Sequence, residues 1–139
     1  MDQTQLNRLQ MVQNSAARLL TSTKKHEHIT PVLAALHWLP IRSRINFKTL
    51  LIVYKSLHNL APPYLSEILH QHAPSRALRS ADLLLLEVPR ARQKARGDRA
   101  FSVAGPRLWN ALPLHIRSAQ SLAVFKSLLK THLFGLAFG

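Results

Sequence analysis

Four cations recur at every second position in one stretch of the chain: Arg90, Arg92, Lys94 and Arg96. Alternate side chains share a face of an extended backbone at a spacing of roughly 6.6 Å, whereas a helix would scatter the same four around its axis. The pattern predicts an extended basic ribbon, and the Gly97-Asp98 dipeptide after it is a turn signal. A two-residue turn there would fold residues 99–103 back along the ribbon, placing Phe101 and Val103 beside Lys94 and Arg92. Cations next to an apolar edge form a cradle for a nucleic-acid backbone, with Arg99 as a further contact and Arg76, Arg79 and Arg107 as flanking contributors. Contacts of that kind position a phosphate backbone without reading its bases. The plainer reading of the same residues is a solvated charged loop with Phe101 in the core.

Other chemistry is missing. Polymerases and metal-dependent nucleases need clustered carboxylates to hold the magnesium ions that neutralise a transferring phosphate. Here Asp2, Glu27, Glu67, Asp82, Glu87 and Asp98 stand apart from one another. The chain has no Gly-rich loop ending in Lys-Ser or Lys-Thr and no G-x-S-x-G elbow. Without cysteine it has no disulfide, thiolate metal site or Cys nucleophile. His26, Glu27 and His28 lack the i, i+4 histidine spacing that puts two metal ligands on one helical face. Neither catalysis, a metal, a cofactor nor a small-molecule substrate is expected.

The ribbon needs a scaffold, and composition supplies one. Of the 139 residues 47% are apolar and 18% charged, enough to build the core of one small domain spanning residues 1–139. Nineteen Lys and Arg against six Asp and Glu leave a formal net charge of +13, which repels itself unless an anion compensates it. Nucleic acid is the first such partner and an anionic membrane surface the second. No apolar run approaches the ~18 residues of a membrane span, and the first ten residues carry no signal-peptide pattern. A membrane span and secretion are therefore not expected, and a membrane is the least expected partner, with peripheral binding through the cationic amphipathic residues 122–138 as the third reading.

Periodicity predicts a mainly helical fold with one short β-hairpin. Leu6, Leu9, Val12, Ala16 and Leu19 or Leu20 form one apolar face of a first helix over residues 4–20. That helix opens almost at Met1 with no preceding element to pack on, which suggests a longer parent protein. Thr30-Pro31 opens a short helix, and residues 41–57 are apolar almost all round, as in a central buried helix, with Arg44, Lys48 and Lys55 on one narrow stripe. Another short helix follows Pro62-Pro63, over residues 64–69. Residues 83–88 read as a strand, which with the ribbon and residues 99–103 makes the hairpin built around residues 83–103. Gly105-Pro106 is expected to start a single helical turn over residues 107–112, with Trp109 as a packing anchor rather than a base-stacking platform. Ser118 or Ser121 caps a last helix with Leu122, Phe125, Leu128, Leu129 and Leu133 on one side and Lys126 and Lys130 on the other.

Three blocks carry a resemblance. They are LNRLQMVQNSAARLLTSTKKHEHITPVLAALHWLPIRSRINFKTLLIVYKSLHNLAPPYLSEIL, then VPRARQKARGDRAFSVAGPRLWNALPLHIRS, then LAVFKSLLKTHLF. In order and spacing they resemble the C-terminal region of non-LTR (LINE-type, CR1/L2-like) retrotransposon reverse transcriptases, over Leu6 to Phe134. The resemblance implies a post-polymerase segment of a larger polyprotein, in the nucleus or cytoplasm, that holds template RNA or target DNA. The polymerase domain of the parent polyprotein is then a second partner, and a docking module packed on it is the alternative function. The family's catalytic aspartates, its N-terminal endonuclease and the Cys/His knuckle of some relatives have no counterpart in this chain.

Overall fold

The computed structural model describes residues 2–70, 84–89 and 101–139. Among these the backbone forms helices α1 (Gln3–Thr21), α2 (Thr30–Ala35), α3 (Ile41–Leu57), α4 (Pro63–Ile68), α5 (Phe101–Asn110), α6 (Leu114–Arg117) and α7 (Leu122–Phe138). They fall into two compact units, one of Met1–Phe47 with Lys130–Gly139 and one of Lys48–Leu129. The mainly helical class is as the periodicity predicts.

In the first unit α1 ends where Ser22 turns left-handed (φ 55°), with the Thr23 N–H donating to the Arg18 carbonyl. The unit docks α1 through amides. Gln13 Nε2 donates to the Leu39 carbonyl at 2.8 Å, and the Ile41 N–H at the start of α3 donates to Gln10 Oε1 at 2.9 Å. Gln10 Nε2 also donates to Gln13 Oε1 at 2.8 Å, which fixes the two amides against each other. Ile41 N–H is one of the four donors a helix start leaves without an internal partner, so Gln10 caps α3 from another helix. Leu6, Gln13 and Ala17 are the buried residues of α1. The apolar stripe expected to face the core does not do so beyond Leu6: Leu9, Val12, Leu19 and Leu20 are exposed, Leu19 at 83%. At the other end of the unit the rings of His37 and Phe134 stack at 5.6 Å.

The second unit has an aromatic core. Trp109, Tyr54 and Phe125 are its largest fully buried side chains, with ring centroids 4.3 Å apart for Tyr54–Phe125 and 5.8 Å for Trp109–Phe125. Each such burial stabilises the fold by about 1.5–3 kcal/mol. The Tyr54 hydroxyl donates to the Ala119 carbonyl at 2.9 Å, so its polar end is satisfied. Ser121 Oγ accepts the Val124 N–H at 3.2 Å and caps α7, which buries Phe125 and Leu129 in this unit. Trp109 is the packing anchor its context predicts.

The expected hairpin is not seen among the described residues, and residues 90–100 of it lie outside them. Among the described residues no strand forms, and Phe101 and Val103, assigned to its second strand, belong to the first turn of α5. Helical backbone bonds to itself, so those residues have no ladder to offer the ribbon. The predicted helix start at Gly105-Pro106 is also corrected, because α5 begins at Phe101 and carries Pro106 inside it. A Cβ on Gly105 would lie 3.1 Å from Val53 Cγ2 and 3.4 Å from the Phe101 ring, so glycine lets α5 approach α3 closely. Among residues 84–89 Leu86 makes an isolated bridge and no strand, and side chains of α5 serve the backbone of Leu84 and Leu86. Asn110 accepts the Leu86 N–H through Oδ1 and donates from Nδ2 to the Leu86 carbonyl, both at 2.8 Å, and Trp109 Nε1 donates to the Leu84 carbonyl at 2.8 Å. The Glu87 N–H donates to the His70 carbonyl at 2.8 Å.

Candidate functional site

Of the residues expected to contact phosphate, Arg107 is the one the structure describes; it sits on an exposed position of α5, two residues before Trp109. Arg76, Arg79, Arg90, Arg92, Lys94, Arg96 and Arg99 lie outside the described residues. The cations of α3 divide, with Arg44 and Lys48 exposed and Lys55 half-buried, and Lys126 and Lys130 are exposed on α7.

A second cluster lies where the sequence pattern pointed to none. Pro113 starts α6 from an extended conformation, and that four-residue helix swings Arg117 back toward the end of α5. Arg117 is only 6% exposed. Its Nη1 donates to the carbonyls of Asn110 at 3.1 Å and Leu112 at 2.7 Å, tying down the C-terminal end of α5 where the helix dipole favours a cation. Among the described residues its buried Nε meets no partner. Burial pushes the guanidinium pKa below its ordinary value.

Arg117 lines a cavity of about 320 Å³ together with His58, Gln120, Leu57, Leu86 and Trp109. His58 is held in place by stacking on Tyr54 at 4.0 Å and by Nδ1, which lies 2.9 Å from the Tyr54 carbonyl and so carries the proton of that bond. Leu84, on the same wall, has a φ of 56°, a conformation that bulky residues rarely adopt. Trp109 Nε1 holds the Leu84 carbonyl in that conformation. Among the described residues no group of three or more His, Cys, Asp or Glu side chains converges as a metal site.

Sequence reasoning passed over Arg117, His58 and Asn110. The signal available was a proline-bounded turn, Pro113 to Ser118, directly after the tryptophan-bearing helix. Comparison with protein-family models, with curated proteins and with solved structures found no match for this chain.

Proposed function

We propose that the chain is a non-catalytic, post-polymerase segment of a LINE-type reverse transcriptase that holds an RNA or DNA backbone. The basic run Arg90, Arg92, Lys94, Arg96 and Arg99 makes the phosphate contacts, and Arg76, Arg79 and Arg107 flank it. The observation that carries this reading is the charge: with nineteen Lys and Arg against six Asp and Glu, at least thirteen cations have no acid to pair with one to one. Phosphates are the anions dense enough to compensate them.

The test is binding of the purified chain to labelled single-stranded RNA and duplex DNA across a salt series. A variant with Arg90, Arg92, Lys94 and Arg96 changed to Gln is measured beside it. With about five phosphates neutralised, log affinity falls against log salt with a slope of roughly −4 to −5 on duplex DNA, and the variant both weakens binding and flattens the slope. Affinity that hardly changes with salt sinks the reading.

A specific observation favours a second reading, a module that docks on the polymerase domain of its parent. Leu9, Met11, Val12, Leu19 and Leu20 of α1 are exposed, and four of them follow one helical stripe. Light scattering separates the two, because a monomer that binds nucleic acid without self-association speaks against a docking role for that stripe.

A further inference from the structure

We propose that α1 pairs with α1 of a second copy of this chain, antiparallel, through Leu9, Val12, Ala16 and Leu19. The inference stands on the first unit alone and does not rest on the nucleic-acid reading. It gives to a second copy the stripe that the docking reading gives to a polymerase domain. Steps of three, four and three residues separate the four positions. That is the 3.5-residue repeat of a seam between two helices, a period that neither a sheet nor a loop matches. The glutamine face of α1 is already engaged, by the Leu39 carbonyl and the Ile41 N–H. The seam points outward, with Val12 67% exposed, Leu19 83% and Leu20, at its edge, 66%.

The seam complements itself in one orientation. With two copies antiparallel about residue 14, Leu9 lies opposite Leu19 of the second copy and Val12 opposite its Ala16, and the two-fold axis repeats both pairs. Ala16 then makes room for the branched Val12. A parallel pair would set Ala16 against Ala16 and leave a gap in the middle of the seam. Charge selects the same orientation. Arg8 and Arg18 are the charged residues of α1, and Arg18 Nη1 donates to the Lys24 carbonyl of its own chain. The seam therefore has to accommodate Arg8, which the antiparallel pair carries to the last turn of the other α1, where the helix dipole favours a cation. A parallel pair would place it beside its own copy. Leu9, Val12, Ala16, Leu19 and Leu20 present on the order of 500 Å² per copy, so a pair buries roughly 1,000 Å², the size at which specific interfaces begin. An interface that small is weak, with a Kd on the order of 10–100 μM, and in the dilute solutions used for unfolding the chain is monomeric. The net charge of +13 on each copy opposes the pairing, so added salt strengthens it, opposite in sign to the effect of salt on phosphate contacts.

The test is sedimentation equilibrium of the intact chain, free of nucleic acid, over about 5 to 500 μM at low and at moderate salt. The expected mass climbs with concentration from the 15.7 kDa of the monomer toward twice that value, and does so earlier in the higher salt. Leu19→Gln and Val12→Gln, both at exposed positions, should each weaken the association by about ten-fold or more while keeping the wild-type circular dichroism. The Gln variant of the basic run should still associate, so failure of the nucleic-acid reading and failure of this one are distinguishable. Because the chain has no cysteine, introduced ones report the register. A mixture of Val12→Cys and Ala16→Cys chains should oxidise in air to the mixed disulfide in preference to either symmetric one, and an excess of the symmetric products overturns the antiparallel register. A wild-type mass that stays at the monomer value across the range overturns the proposal and returns the stripe to the docking reading. Association that neither Gln variant weakens overturns it as well, because the contact then lies elsewhere.

Discussion

The two units of this chain use the same amino acids in opposite ways. The second buries its large apolar side chains, with Trp109, Tyr54 and Phe125 in mutual ring contact and Leu50, Val53 and Leu129 fully enclosed around them. The first joins α1 to Leu39 and to the start of α3 through Gln13 and Gln10, and leaves leucines and a valine of α1 in solvent. A helix has a limited circumference, and in α1 the glutamine face and the leucine stripe are different faces. Choosing the glutamines as the internal contact excludes the stripe. The comparison teaches that an amphipathic pattern marks which residues are suited to burial, and does not say what buries them.

The comparison is sharpest at the core of the second unit. Phe125→Ala should cost about 3–5 kcal/mol in denaturant unfolding, because the Tyr54 and Trp109 rings that flank it cannot both collapse into the gap. In the first unit the expensive change is polar. Gln13→Ala leaves the Leu39 carbonyl without its donor and should cost about 1–3 kcal/mol by thermal unfolding.

Tyr54→Phe comes next, at about 1 kcal/mol, since it strips the Ala119 carbonyl of its donor but keeps the ring packing. It also has a pH signature. Burial raises the Tyr54 phenol pKa above its ordinary 10.0, so the fold favours the protonated form. The stability this confers is present in full below pH 10.0 and is lost as pH rises through the folded-state value. Urea midpoints taken as pH rises above 10.0 should therefore fall less steeply for Tyr54→Phe than for wild type.

The smallest effect is the one most able to break the comparison. Leu19→Gln and Val12→Gln should change the stability of the isolated chain by no more than about 0.5 kcal/mol. A loss of several kcal/mol at either position would mean that the stripe is already covered in solution, by self-association or otherwise.

Much of the helical layout was legible. Proline at the first turn marks α2 and α4, apolar residues recurring around most of the axis mark α3, and a serine before a leucine-rich period marks α7, because each signal is local to its own helix. The hairpin was misread for a related reason. Residues 83–88 form a short apolar run, and local pattern does not say whether its backbone will pair with a strand or with side chains. In the fold, Asn110 and Trp109 take up the bonds a strand would have made. Arg117 was illegible because an arginine in sequence carries no mark of burial. Its environment is set by a four-residue helix turning it under the end of α5.

What the sequence determined by itself is the positive charge, the absence of clustered carboxylates and cysteines, and the positions of most helices. These follow from residue type and from spacings of three or four, which act within a turn or two of chain. What only the tertiary structure decided is which face of α1 is internal, what serves the backbone of Leu84 and Leu86, and that one of nineteen cations is enclosed beneath the end of α5. Those outcomes depend on groups brought together from distant parts of the chain, where side-chain hydrogen bonds and burial compete on nearly equal terms and geometry selects among them.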